Sequence, residues 1–512
     1  MQLWAIAALA SCTPSTTVDA GPQITTSAVA TFAGGSAILA GSNFGSVSPD
    51  RGLLLRKASG SVLRIPSADS LVVSWLDERI SFHIPPSAVS GTVVVETPLG
   101  RSRPVTLDVY RYDTFPVPPT NGTNASPLDL AIDGAGRVWL NQEFHFDSAP
   151  LAVLEPGAAE MMLIQAPMPP GTGPFATRIG GADKSTHITE LGEGILVDPK
   201  GRVWLSEGGG LLYDGPLHNH SRVVCYDPAA PTGSRLRVYN LPGDHNEVTG
   251  LAWDTARHLI WLSEGGNGAG PSLVSFDPEL VPFDNSFDFT RPVPDESGYR
   301  VYPLHGARSG YPAHLMVMDD GSVWFTTYVG NAIGKLDPAT GAAVFLPLQK
   351  TVSTNPAAVV FGTGGPWDIV RGPGGEIAFN SQFDNSVSRL DASRPRGFDS
   401  CLRLDQTGHN PCIRTLSVSG DLEHELVHSA SFDASGRLWF SQHASGAAPG
   451  TLVSIGYVDH GWSSVVMLPA LPTPAGNPVG TAANDGIALD TSTGDIWFAE
   501  YFNHRVSRLH RI

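Results

Sequence analysis

The chain is short of positive charge. Its 512 residues carry 32 Lys and Arg against 49 Asp and Glu, a net charge of −17. A surface of that sign repels phosphate backbones and anionic headgroups, so nucleic acid and bare anionic membrane are not expected partners. Charge of either sign makes up only 16% of the sequence, too little for long solvated helices. Cysteine is scarce at four, and no C-x-x-C pair exists, which argues against a structural zinc site. No apolar run approaches the roughly 20 residues of a membrane-spanning helix. What is plentiful is glycine (56) and proline (42), the composition of short strands punctuated by turns.

Apolar residues do gather at the start, in MQLWAIAALASC, which ends in Leu9-Ala10-Ser11-Cys12. That ending resembles the bacterial lipobox, where cleavage before a cysteine leaves it to carry lipid. Residues 1–22 are therefore expected to be a lipoprotein-type signal and tether, with Cys12 as the lipidation site. The expected location is the cell envelope or outside the cell, with the lipid anchor as the sole membrane contact. Cys401 and Cys412 bracket LRLDQTGHNP and are placed to close a loop by a disulfide in an oxidising compartment. Cys225 falls on an expected strand beside Tyr226.

Residues 23–110 read as short alternating strands. Ile80, Phe82 and Ile84 share one face, with Ser81 and His83 on the other, and Val105, Leu107 and Val109 repeat the pattern. The stretches LAGSNFG, VSWLDERISFHIPP, SGTVVVETPLGRS and VTLDV follow one another in an order that resembles the IPT/TIG family. The resemblance implies an Ig-like β-sandwich acting as spacer or binding module, with Trp75 in its core. The segment FPVPPTNGTNASP, residues 115–127, marks a boundary by its Pro and Asn/Gly density.

From there a pattern recurs seven times at intervals of 54 to 65 residues. It reads LDLAIDGAGRVWLNQ from Leu128, EGILVDPKGRVWLSE from Glu193 and TGLAWDTARHLIWLSE from Thr249. It continues as AHLMVMDDGSVWFTT from Ala313, WDIVRGPGGEIAFNS from Trp367, HSASFDASGRLWFSQ from His428 and DGIALDTSTGDIWFAE from Asp485. Six repeats carry Trp at one place, and Ala378 stands there in the fifth. Strand, tight turn and strand at this period predict a propeller whose blades bury their faces only against neighbours. The fold class is all-β: an Ig-like sandwich followed by a seven-bladed β-propeller over residues 111–512, with HRVSRLHRI closing the last blade.

In a propeller the residue before each innermost strand lies at the mouth of the central channel. Here that set, with the next residue along, includes Asp129, Glu193, His314, Asp368, His428 and Asp485. A second set follows the Trp-Phe/Leu-x triplet and includes Glu207, Glu264, Gln442 and Glu500. Polar groups facing a channel cost free energy unless water, a cation or a polar ligand satisfies them. Asp129, Glu193, His314, Asp368 and Gln442 are therefore candidate ligand contacts. Glu207, Glu264 and Glu500 are hard oxygen donors suited to Mg2+ or Ca2+.

The repeats, above all DDGSVWFTTYVGNAIGKLDPATG and STGDIWFAEYFNHRVSRL, resemble the virginiamycin B lyase (streptogramin lyase) family over residues 115–512. The resemblance implies magnesium-assisted ring opening of a cyclic depsipeptide by elimination, needing a base and a group that stabilises enolate-like charge. It places His428 and Glu500 in catalytic roles. Where the family's last blade has Glu-Pro-His-Gly, this chain has Ala483-Asn484-Asp485-Gly486, leaving Asp485 to act as a base in the histidine's place. Two readings stand: a monomeric surface protein whose propeller mouth binds a polar small molecule or a protein loop, and a lyase using His428, Glu500 and Asp485. The missing histidine favours the first.

Overall fold

The computed structural model describes residues 21–512 apart from 58, 120–124, 143–150, 165–190, 208–221, 242–247, 266–269, 284–297, 349–363, 392–397, 419–424, 445–454 and 470–483. The chain divides between Tyr110 and Arg111 into two units, with Ile512 belonging to the first.

In the first unit, strict alternation of apolar residues produces two sheets around one core. One sheet runs in the order Gln23–Ile24, Ser36–Ser42, Arg79–His83, Val72–Trp75. The other pairs Val105–Pro116, Gly91–Thr97, Gly52–Lys57 and Val62–Pro66, with Ala28–Phe32 added in parallel to the first of these. Leu39, Ile80 and Phe82 of one sheet meet Leu53, Val93, Val95 and Leu107 of the other, all essentially inaccessible. Trp75 is buried among them, and its indole N–H donates to the Phe44 carbonyl at 3.2 Å, satisfying the one polar atom it brings inside.

The second unit is built from the tryptophan repeat, and local chemistry explains its spelling. In Asp133-Gly134-Ala135-Gly136-Arg137-Val138-Trp139, Asp133 Oδ1 accepts from the backbone N–H of Ala135 (2.9 Å) and Arg137 (3.0 Å). Its Oδ2 accepts from the Trp139 indole at 2.9 Å. Gly136 takes a φ of 79°, a left-handed value that closes the turn at no steric cost. Asp198 serves Trp204 and Asp433 serves Trp439 in the same way, each at 3.0 Å. The aspartate thus caps the turn with one oxygen and orients the core indole with the other.

Burial opposes ionisation of Asp133, but the Trp139, Arg137 and Ala135 hydrogen bonds outweigh it and hold the carboxyl below the usual range. A folded-state value below the unfolded one means stability that is fully present above about pH 4 and lost as pH falls through the folded value. Urea unfolding midpoints are therefore expected to fall between pH 5 and pH 3, by about that range's worth of carboxylate titration. Asp133→Asn should flatten the fall.

The innermost strands are β1 (Pro127–Ile132), β2 (Leu191–Val197), β3 (Val248–Asp254), β4 (Pro312–Val317), β5 (Pro366–Arg371), β6 (Glu425–Phe432) and β7 (Asn484–Leu489). Each of β1 to β6 opens a four-stranded antiparallel sheet. Strand β7 is followed by Ile496–Glu500 and Arg505–Arg511, and residues 111–116 supply the outer strand of that sheet. Every inner strand packs on the next, and β7 packs on β1, so the sheets close into a ring. Between sheets lie apolar clusters such as Trp204, Tyr239, Ile260, Leu262 and Phe276.

Where Ala378 replaces the repeat tryptophan, the volume is refilled from elsewhere. Trp462 is buried in the same cluster as Ala378, with the Arg389 guanidinium 5.1 Å above its ring. Cys401 and Cys412 are joined as a disulfide and are both buried. Cys225 is a buried free thiol whose pKa is pushed well up by burial. Among the described residues, no helix is long and apolar enough to cross a membrane.

Candidate functional site

Each inner strand carries a register shift near its start: between Pro127 and Leu130 in β1, Pro312 and Leu315 in β4, Pro366 and Ile369 in β5, and Val427 and Ala430 in β6. Such bulges take residues out of the ladder and re-aim their side chains. The residues released here are Leu128-Asp129, Ala313-His314, Trp367-Asp368 and His428-Ser429.

A polar side chain of the second strand holds each bulge. Asn141 Oδ1 accepts from the Asp129 N–H (2.6 Å), Thr326 Oγ1 from the His314 N–H (3.1 Å), and Asn380 Oδ1 from the Asp368 N–H (2.9 Å). Ser441 Oγ does the same for Ser429 at 3.1 Å. These groups also tie neighbouring sheets together: Thr326 donates to the Trp367 carbonyl and Asn380 to the His428 carbonyl, both at 2.6 Å. The bulge residues are thus fixed from behind before any ligand arrives.

They line one small cavity of about 10 Å³, walled by Asp129, His314, Trp367, Asp368, His428 and Ser429. Asp368 is its best-anchored charge. Its Oδ1 accepts from the Ile369 N–H at 2.8 Å, and its Oδ2 from Ser429 Oγ (3.1 Å) and the Ala430 N–H (2.9 Å). Three donors hold the carboxylate in one orientation. His314 Nδ1 lies 3.6 Å from Asp368 Oδ1. Trp367 stands between the two imidazoles, 5.6 Å from the His314 ring and 6.0 Å from that of His428. Tyr328 meets Trp367 edge-on, with ring centroids 5.0 Å apart.

Of the residues singled out from sequence, Asp129, His314, Asp368 and His428 come together here. Gln442, Glu264 and Glu500 do not line this cavity. Glu264 is wholly buried within its own sheet, accepting from Ser272 Oγ at 2.6 Å. Glu500 is equally buried and held by Arg505 Nε (2.9 Å), Asn503 Nδ2 (2.6 Å), the Tyr112 hydroxyl and the Ser507 hydroxyl. Burial and the Glu500 carboxylate together hold the Tyr112 phenol well above its usual range. Glu193, Glu207 and Asp485 lie in strands, but their side chains fall outside the described residues, as does Cys12.

A divalent cation needs several oxygen donors converging on one point. Glu500 is already paired with Arg505, Glu264 belongs to another sheet, and no group of three or more His, Cys, Asp or Glu could hold a metal among the described residues. Sequence reasoning passed over Ser429 and Gly486. The repeat itself carried the signal for Ser429, which follows His428 as Asp368 follows Trp367.

No protein-family model and no curated protein matches the chain. Among solved structures it is similar to virginiamycin B lyase from Staphylococcus aureus, known as a catalytically inactive variant with quinupristin and as the selenomethionine-substituted protein. Each aligns at 16% identity and a TM-score of 0.50, over 79% of this chain and 100% of that one. The extracellular domain of a one-component system from B. thetaiotaomicron aligns at 14% identity and a TM-score of 0.49, over 96% of this chain and 51% of that one. At such identities the likeness to the lyase is one of fold. With the closed ring of antiparallel sheets, it makes this chain a β-propeller protein.

Proposed function

We propose that the chain is an exported, lipid-anchored binding protein whose seven-bladed propeller takes a polar ligand at the channel mouth. The N-terminal unit is then an IPT/TIG-like Ig-fold spacer that holds the propeller away from the anchor at Cys12. The observation that carries the binding reading is the cavity itself, where Asp129, His314, Trp367, Asp368 and His428 meet on pre-fixed bulges. Export is supported by the buried Cys401–Cys412 disulfide, a bond that persists in oxidising compartments.

The lyase reading asks more of the site than the cavity offers. Its retained glutamate, Glu500, is engaged by Arg505 and Tyr112 and is not among the cavity-lining residues. A ligand-observed NMR screen of neutral sugars, amines and carboxylates is expected to yield mutually competing hits that vanish in Trp367→Ala. Quinupristin, incubated with the protein and followed by chromatography, is expected to stay cyclic. An opened product that disappears in His428→Ala would overturn the binding reading in favour of catalysis.

A further inference from the structure

We infer that the ligand at this mouth is a neutral saccharide, one of whose hydroxyls enters the cavity while its ring lies on a tyrosine ledge beside it. This rests on the binding reading above and narrows it to one chemical class. The roughly 10 Å³ inside is about one water-sized sphere, so a single hydroxyl enters and a larger head group does not.

The lining selects among groups of that size. Asp129 and Asp368 bring acceptors, and His314 and His428 bring ring nitrogens, with His314 Nδ1 3.6 Å from Asp368 Oδ1. A ligand carboxylate would face both aspartates, and among the described residues neither lysine nor arginine lines the cavity to offset them. A hydroxyl donates one hydrogen bond and accepts up to two, so it can serve carboxylate and imidazole from one position. A carboxylate has about four acceptor sites. Ile369, Ser429 and Ala430 engage Asp368 from within the protein, and it can take one donor more.

The ledge is reached through Trp367, which lines the cavity. The Tyr311 ring lies 6.3 Å from it with only 24° between their planes, and the Tyr328 ring is 5.8 Å from that of Tyr311. Both tyrosines are half-buried, and Val329 beside them is 46% exposed. The backbone holds the ledge rigid: the Tyr328 N–H donates to the Tyr311 carbonyl at 2.8 Å, and the Gly330 N–H to the Gly310 carbonyl at 2.9 Å. Phe383 backs Tyr328, with ring centroids 5.3 Å apart. A sugar ring presents C–H bonds on its face and hydroxyls on its edge. The first suit the electron-rich face of a fixed aromatic ring, and the second suit the cavity next to it.

The test takes the methyl glycosides of glucose, galactose, mannose, xylose and N-acetylglucosamine as probes of the full chain, by saturation-transfer NMR and calorimetry. At least one is expected to bind, with transfer strongest on one face of its ring. Among its monodeoxy derivatives, one should bind about tenfold more weakly or worse and the others should change less, because only one hydroxyl meets the buried carboxylate. Asp368→Asn should weaken that glycoside by about tenfold. Tyr311→Asn should do likewise, since asparagine tolerates the left-handed backbone at this position (φ 53°) and removes the ring. Unfolding midpoints are recorded so that misfolding is recognised. Monodeoxy derivatives that all match the parent, or glycoside binding that survives Tyr311→Asn, would sink the saccharide assignment. So would Trp367-dependent binding of an amine or carboxylate while no glycoside binds, an outcome that leaves the mouth as a binding site. No Trp367-dependent binding by any of these probes would sink both and leave the cavity to water.

Discussion

Glu500→Ala is expected to lower the unfolding free energy by about 3–5 kcal/mol, the cost of leaving a buried ion pair half-made. The carboxylate has no exposed surface, and the side chain of Arg505 is only 13% exposed. Removing Glu500 strands the guanidinium, and it also takes the acceptor from Tyr112, Ser507 and Asn503. Tyr112 belongs to the outer strand of the last sheet, so the network pins residues 111–116 to the strand Arg505–Arg511. Urea titration followed by tryptophan emission checks the magnitude. Glu500→Gln should lose less, because an amide oxygen still accepts one or two of the four bonds. A loss below about 1 kcal/mol for Glu500→Ala would mean that the sheet closes without this network.

Gly486→Ala is expected to cost about 1–3 kcal/mol, or more, and to abolish probe binding at the mouth as well. A Cβ added there would lie 2.5 Å from the Asp129 Cα, 2.2 Å from its Oδ1 and 3.0 Å from the Leu128 carbonyl oxygen. Two of these three atoms belong to the backbone of β1, so a side-chain rotation cannot relieve the clash. The strands β7 and β1 must separate just where the ring closes, and Asp129 must leave the cavity wall. Gly194→Ala makes the control. Its Cβ would meet the Thr249 carbonyl oxygen at 2.5 Å, a comparable crowding between β2 and β3, at a residue that does not line the cavity. It should reduce stability to a similar degree while the folded protein keeps the Trp367-dependent hits of the ligand screen. Equal loss of affinity in both variants would mean that the cavity responds to general loosening of the ring.

The fold was largely legible because its chemistry is local. An Asp-x-x-Gly turn whose aspartate stands six residues before a tryptophan can be read one repeat at a time, and Asp133 and Trp139 need nothing distant to explain them. The candidate site was legible only in part. Asp129, His314 and Asp368 sit at one phase of the repeat and His428 one residue before it, so period alone places them at one end of the channel. Glu264 and Glu500 sit at another constant phase, and the same logic set them at the mouth too. What period cannot show is which partner a carboxylate takes. For Glu500 the partner on the first strand of the unit is Tyr112, hundreds of residues earlier, and no spacing rule connects them. Likewise, nothing around Ala378 announces that Trp462 refills its place.

That long-distance pairing also governs how the protein comes into being. Tyr112 and Arg505 stand 393 residues apart. At a synthesis rate of about 5–20 residues per second, residues 111–116 wait roughly 20 to 80 seconds before their partner strand emerges. Through that interval they form a bare edge, open to pairing with any other nascent chain. Arg111 and Asp113, alternating with Tyr112 along the edge, put charge where a foreign strand would dock and keep the seam free for its own terminus.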